Sequence, residues 1–357
     1  MTSMAKLKGK VIVITGGTGS LGKVLTRRLL QNTELAPRRI IIFSRDEAKQ
    51  HQMRVEYQHK IKATDEVIYH NFEHLIQFQI GDIRNYHSVC SVLKEADIVV
   101  NAAALKQVPS CEYFPFEAVQ TNILGVENIV RAIQELSLPV ETVVGVSTDK
   151  ACKPVNTMGM TKAIQERILT VANIYAPRTR FICVRYGNVL ASRGSVIPLF
   201  HEQIKNGGPL TVTTPEMTRF LLPLERAVDT VLEAIEGAQC GEIYVPKVPA
   251  ARILDVAKLL IGDHNIEIQI TGIRPGEKVH EILVSEEEAW RTYERGGYYA
   301  IQPMLPELER GCNLSKPLCY AYSSGDSLMT LEETKQLLEQ YQLINNNELS
   351  DEGDYLR

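Results

Sequence analysis

An α/β fold, a parallel sheet flanked by helices with a smaller C-terminal substrate-binding lobe, is predicted by three observations. Short β-branched apolar runs recur through the first half of the 357-residue chain. Most are followed by a stretch whose apolar residues return at intervals of three and four, the period of a helix. A glycine-rich turn joins the first strand to the first helix. Alternation of this kind builds a parallel sheet with helices on both faces.

Lys10–Thr15 reads as a strand buried on both sides. It runs into Gly16-Gly17-Thr18-Gly19-Ser20-Leu21-Gly22, and Leu21, Val24, Leu25 and Leu29 then mark a helix. Gly16 would make the turn, Gly19 would let the backbone reach a pyrophosphate, and Gly22 would let helix and strand pack closely. Thr18, Ser20 and Leu21 fall in the same turn, beside the free N–H groups of the helix start. Strand, glycines and helix together predict a Rossmann-type dinucleotide site; the alternative is a structural turn.

The second strand, 39–43, ends in Ser44-Arg45-Asp46-Glu47. Ser44 and Arg45 suit a 2′-phosphate, which a guanidinium can grip, so NADP is the expected cofactor. The alternative for Arg45 is a solvated surface charge. Asp46 and Glu47 suit the first turn of the next helix. Strand 77–80 leads to Asp82 and Ile83, placed to flank an adenine. Strand 96–100 leads to Ala102 and Ala103, small enough to let a cofactor approach. An apolar stripe over 116–135 predicts one long helix; Asn122 within it is either a packed polar residue or a stabiliser of the active-site strand.

Strand 140–146 delivers Ser147, Thr148, Asp149 and Lys150 at its carboxyl end. A helix from about Thr157 would put Met158 and Lys162 on one face, a turn apart. After strand 180–185 the chain turns through Asn188, and Gly194–Pro198 opens another helix. A helix over 222–235 and a strand over 242–245 return to the sheet, and 331–338 forms a terminal helix. The domain expectation is 1–185 for the cofactor domain with segments around 221–248 returning to it, 186–340 mainly for the second lobe, and 341–357 for a polar tail.

Composition narrows the function classes. Hydrophobic residues at 44% and charged residues at 23% exclude a disordered chain. A net charge of -4 gives no electrostatic footprint for nucleic acid. The seven cysteines form no CxxC pair and no ligand pattern with the eight histidines, so reduced thiols and no metal are expected. With no long apolar window and no signal-type N-terminus, a cytoplasmic protein without membrane insertion is expected.

The segments TGGTGSLG (15–22), FSRDE (43–47), NAAALKQVP (101–109), STDKA (147–151), MGMTK (158–162), RYGNVLASRGSVIP (185–198), MTRF (217–220) and GIRPGEK (272–278) resemble extended short-chain dehydrogenase/reductases. More closely they resemble bacterial UDP-N-acetylglucosamine 4,6-dehydratases of the polysaccharide biosynthesis type, over nearly the whole chain to about residue 290. The broad superfamily has Tyr-x-x-x-Lys where this chain has Met158 and Lys162.

The resemblance implies NADP-dependent removal of water from UDP-N-acetylglucosamine or a close UDP-hexosamine. C4 oxidation would be followed by C5/C6 elimination and hydride return to C6. Asp149 would be the acid and Lys150 the C5 base, its pKa lowered by burial and by Lys162. Thr148 would bond O4, Lys162 would hold the nicotinamide ribose, and Met158 would contribute shape. Lys106 and Asn188 would face the sugar or its phosphate, Arg219 and Arg274 the diphosphate, and Glu277 the uridine ribose. A homo-oligomer, dimer or hexamer, is expected with it. The competing readings are a UDP-sugar 4-epimerase, which shares the C4 step, and a non-catalytic NADP-binding sensor.

Overall fold

A computed structural model describes residues 5–31, 37–58, 74–190, 195–308 and 316–344. The sheet is built first from β1 (Val11–Thr15), β2 (Arg39–Ser44), β3 (Ile76–Ile80), β4 (Ile98–Asn101), β5 (Thr142–Thr148) and β6 (Arg180–Tyr186). All six run parallel. The chain moves outward from β1 through β2 to β3, then crosses back to lay β4 on the other side of β1. Thr15 of β1 therefore stands between Phe43 of β2 and Asn101 of β4. Such a reversal of strand order leaves a crevice at the carboxyl ends, where open α/β sheets bind ligands.

The later strands are β7 (Leu210–Val212), β8 (Thr218–Phe220), β9 (Ile243–Pro246), β10 (Ala250–Arg252), β11 (Ile268–Ile270), β12 (Ile282–Val284), β13 (Thr292–Arg295), β14 (Tyr298–Ile301) and β15 (Tyr322–Ser323). β9 joins β6 in parallel, and the β13–β14 hairpin closes that side antiparallel, so the sheet has nine strands. The other late strands pair in twos.

Side chains alternate across each strand and so fill two cores. Ile12 and Ile14 pack with Leu25 and Leu29 of the helix Ser20–Gln31 and with Val228 and Val231 of the helix Leu224–Gly237. Val11 and Val13 face the opposite core, with Val89, Ile129 and Leu169. A third core, around Phe200, Val256 and Leu338, belongs to the smaller lobe. Each such side chain contributes roughly 1.5–3 kcal/mol when fully buried.

The helix expected over 116–135 is interrupted. Pro115–Ala118 and Gly125–Glu135 are α-helical, and Val119–Leu124 between them forms a π turn containing the buried Asn122. Among the described residues no helix is long and apolar enough to cross a membrane. The expectations for Gly194 and for the tail from 345 to 357 lie outside the described residues.

Candidate active site

The cofactor end is shaped by backbone contact. Gly16 donates its N–H to Phe43 O at 2.8 Å, and Ala102 N donates to Thr15 O at 3.2 Å. Gly16 has φ +64°, and a Cβ there would lie 2.8 Å from Ala103 N and Cα; one on Gly22 would overlap the Gly17 backbone. Only glycine fits both places. The bare turn leads into Ser20–Gln31, whose first N–H groups have no partner within the helix. A dinucleotide pyrophosphate fits this cradle. Thr18 and Ser44 share a hydroxyl hydrogen bond at 3.0 Å across the crevice.

The catalytic end follows β5. Thr148 Oγ1 donates to Asp149 Oδ1 at 2.8 Å, and the hydroxyl also caps the short turn Asp149–Ala151. Asp149 is 1% exposed, and its Oδ2 has no hydrogen-bond partner among the described residues. Lys150 Nζ reaches Asp149 Oδ1 at 3.1 Å, Asn188 Oδ1 at 3.3 Å and Glu281 Oε1 at 3.4 Å. Lys150 was expected to have a lowered pKa, and the structure corrects this. Burial does pull it down, but the carboxylates of Asp149 and Glu281 outweigh burial and raise it.

Asn156 caps the helix Thr157–Tyr175 by accepting from Gly159 N. On that helix Lys162 Nζ donates to Val146 O and Gln165 Oε1, both at 2.8 Å. Burial brings its pKa down to about 8, and the nearby Glu166 raises it too little to cancel that. Met158 packs in a small apolar cluster with Cys111 and Ala118. No proton-bearing group occupies that position.

Asn122 is a stabiliser rather than a packing residue alone. It accepts from Leu105 N, donates to Leu105 O, and donates to Thr161 Oγ1 at 3.0 Å. The π turn thus ties the loop after β4 to the catalytic helix. Behind β5, Ser147 Oγ donates to Glu166 Oε1 at 2.5 Å, and Arg185 pairs with both Glu166 and Glu288 at 2.7 Å. The second lobe is fastened by Asn156 Nδ2 to Gly276 O at 2.9 Å and Lys278 Nζ to Cys152 O at 2.6 Å.

A cavity of about 1540 Å³ joins these parts. Its wall includes Gly16, Thr18, Gly19, Ser20, Leu21, Gly22, Ser44, Arg45, Asp82, Ile83, Ala102 and Ala103. It continues past Lys106, Thr148, Lys150, Met158, Lys162, Asn188, Arg219, Arg274 and Glu277. Asp149 alone of the predicted site residues is not in the wall; it lies buried behind Thr148. Glu281, which is in the wall, was missed. It lies three residues beyond the GIRPGEK segment, just before the apolar strand β12, where its neighbours in sequence give no sign of its partner. No cluster able to hold a metal ion occurs among the described residues.

The polysaccharide biosynthesis protein family matches residues 12–303. A UDP-glucose 4-epimerase of Rickettsia bellii (strain OSU 85-389) is 44% identical over 345 residues, 92% of this chain and 95% of that one. The crystal structure of Pen from Bacillus thuringiensis is similar with TM-score 0.83 at 35% identity, covering 95% of this chain and 99% of that one. DesIV, a dTDP-glucose 4,6-dehydratase from Streptomyces venezuelae with NAD and TYD bound, is similar with TM-score 0.63 at 17% identity, covering 75% and 86%. At that identity the likeness shows a shared fold.

The expectation of NADP is corrected by these structures. DesIV holds NAD, as does the similarly folded UDP-glucose 4-epimerase of Thermus thermophilus. The strand end supplies a physical reason. Arg45 stands 3.9 Å from Asp82 Oδ2, and Arg84 grips the same carboxylate at 2.8 Å. Asp46 also borders the cavity here and pairs with Lys49 at 2.7 Å, so the cations at this strand end already have carboxylate partners to satisfy.

Proposed function

This chain belongs to the polysaccharide biosynthesis protein family of extended short-chain dehydrogenase/reductase enzymes that modify nucleotide sugars, and on that premise we propose that it is an NAD-dependent UDP-hexose 4-epimerase. NAD bound along the glycine turn supplies a hydride acceptor, and later a donor, at its nicotinamide. The protein's own part is to move the O4 proton. Thr148 accepts that proton while passing its own to Asp149 Oδ1, and the pair returns it when the sugar presents its other face. With methionine at 158, this relay takes the place of a tyrosine. Lys162 holds the ribose and adds positive potential. Arg219 and Arg274 neutralise the diphosphate, while Asn188, Lys106 and Glu277 orient the sugar and uridine.

The observation that carries epimerisation over elimination is the state of Lys150. An amine held by two carboxylates is a poor base for C5. The relatives named UDP-glucose 4-epimerase, matched over 92% of the chain, support the same choice.

One observation favours a second reading, 4,6-dehydration of UDP-N-acetylglucosamine. Asp149 keeps a buried unpartnered oxygen beside Lys150, an acid and an amine side by side. Incubation with NAD and either UDP-glucose or UDP-N-acetylglucosamine separates the two. A C4 epimer of unchanged mass is the expected product. A product lighter by one water would replace epimerisation with dehydration.

A further inference from the structure

Glu281 has no role in the reaction above, yet it is the second carboxylate against Lys150. Its side chain is 3% exposed, with Oε1 at 3.4 Å from Lys150 Nζ and 3.8 Å from Arg219 Nε. Its Oε2 is buried with no hydrogen-bond partner among the described residues. The backbone at this point is fixed from the far end of the lobe. Glu281 N donates to Ser324 Oγ at 2.9 Å, Ser324 N donates to Glu281 O at 2.8 Å, and Ser324 Oγ shares a hydrogen bond with Thr218. Burying a carboxylate in this way is costly unless its charge is used.

Lys150 as an ammonium has three N–H donors, and three acceptors surround it: Asp149, Asn188 and Glu281. The charged groups facing the amine are Asp149, Glu281 and Arg219. A neutral amine would leave the two buried carboxylates, Asp149 and Glu281, with Arg219 alone as counter-ion.

We propose that Glu281 is a positioning residue acting through Lys150: it holds the lysine as an ammonium and so sets the pH at which C5 of a 4-keto sugar can lose its proton. The bearing on catalysis rests on the C4 chemistry proposed above. Neutral Lys150 would take H5 and become the ammonium, and the C–H electron pair would pass into the C4 carbonyl as an enolate. The ammonium cannot take that proton. Glu281 therefore guards C5 while C4 is oxidised and reduced.

The test begins without turnover. The full-length protein and its Glu281→Gln, Glu281→Met and Glu281→Asp variants are pulsed with acetic anhydride across a pH series, and acetylation at Lys150 is read by peptide mass spectrometry. In the Gln and Met variants the midpoint at Lys150 should fall by about 1–3 pH units. Midpoints at surface lysines should stay put, and the Asp variant should return towards wild type. The Met variant decides if the Gln variant does not fold. An unchanged Lys150 midpoint in a folded neutral variant overturns the proposal. Turnover in deuterated water then reads C5 deuterium and C4 configuration in one spectrum. Deuterium entry at C5 should begin at lower pH in the neutral variants, and an unmoved onset also overturns the proposal. Water loss in place of C4 inversion would refute the epimerase reading alone, since the labelling midpoint still decides Glu281.

Discussion

Lys162 sits 5% exposed in the wall of the cavity, bonded to a carbonyl and an amide oxygen, and titrates at about 8. Its unfolded value is near 10.4. Between those values the unfolded chain binds more protons than the folded one, so this group makes stability rise with pH from about 8 upward. Wild type should therefore gain on Lys162→Met between mildly and strongly alkaline urea melts. A constant difference would mean that the lysine is not depressed. Asp149 is as deeply buried as Lys162 and has a direct place in the relay. Asp149→Asn removes the acceptor for the Thr148 proton. Turnover should drop by about 10²–10⁴-fold, with NAD affinity by calorimetry within a few-fold of wild type. An equal loss of affinity would show that Asp149 shapes the cofactor site instead.

The elements around these residues are held by the buried group Arg185, Glu166 and Glu288, which joins β6, the helix Thr157–Tyr175 and the helix Glu286–Ala289. Arg185→Met leaves the buried Glu166 uncompensated and Glu288 with only Arg291, at 3.6 Å, and should destabilise the fold by about 3–5 kcal/mol in urea melts. Adding Glu166→Gln and Glu288→Gln should recover part of that loss. No recovery would mean that the arginine acts by filling space.

These late connections also mark where sequence reading stops. The strands β1 to β6 were legible because each is an apolar run long enough to show its period, and the glycine turn was legible because backbone approach demands a residue type. The strands β7, β8, β10, β11 and β12 are three residues each, too short to carry a period. The π turn leaves the apolar stripe of 116–135 almost unchanged, so the sequence read as one helix. Thr148, Lys150 and Lys162 were placed at the cavity by strand and helix ends. Glu281 meets Lys150 from 131 positions away, through folding of the second lobe, and no local pattern announces that. Arg45 misled for a related reason, because its neighbour Asp82 arrives from the end of another strand.

For the whole molecule, exposed apolar side chains gather on the catalytic helix and on the helical segments beside it. Phe116 is 65% exposed, Leu124 46%, Met160 50% and Ile164 46%. Met160 and Ile164 are four apart and so share a face of one helix. A second copy of the chain covering this face fits the expectation of a homo-oligomer. Sedimentation should show a dimer or larger species, and Ile164→Asp should shift it towards monomer. A wild-type monomer at micromolar concentration would refute it.

The hairpin that closes the sheet has a consequence for how the chain is made. β9 lies in parallel against β6, and its outer edge is covered by β14, which is synthesised about fifty residues later. At roughly 5–20 residues per second, a ribosome leaves that edge open for several seconds on every nascent chain. An open edge of Ile243, Tyr244 and Val245 is a template for a neighbouring nascent strand. Crowding of polysomes, rather than any weakness of the finished fold, would then limit how much of the protein a cell can accumulate.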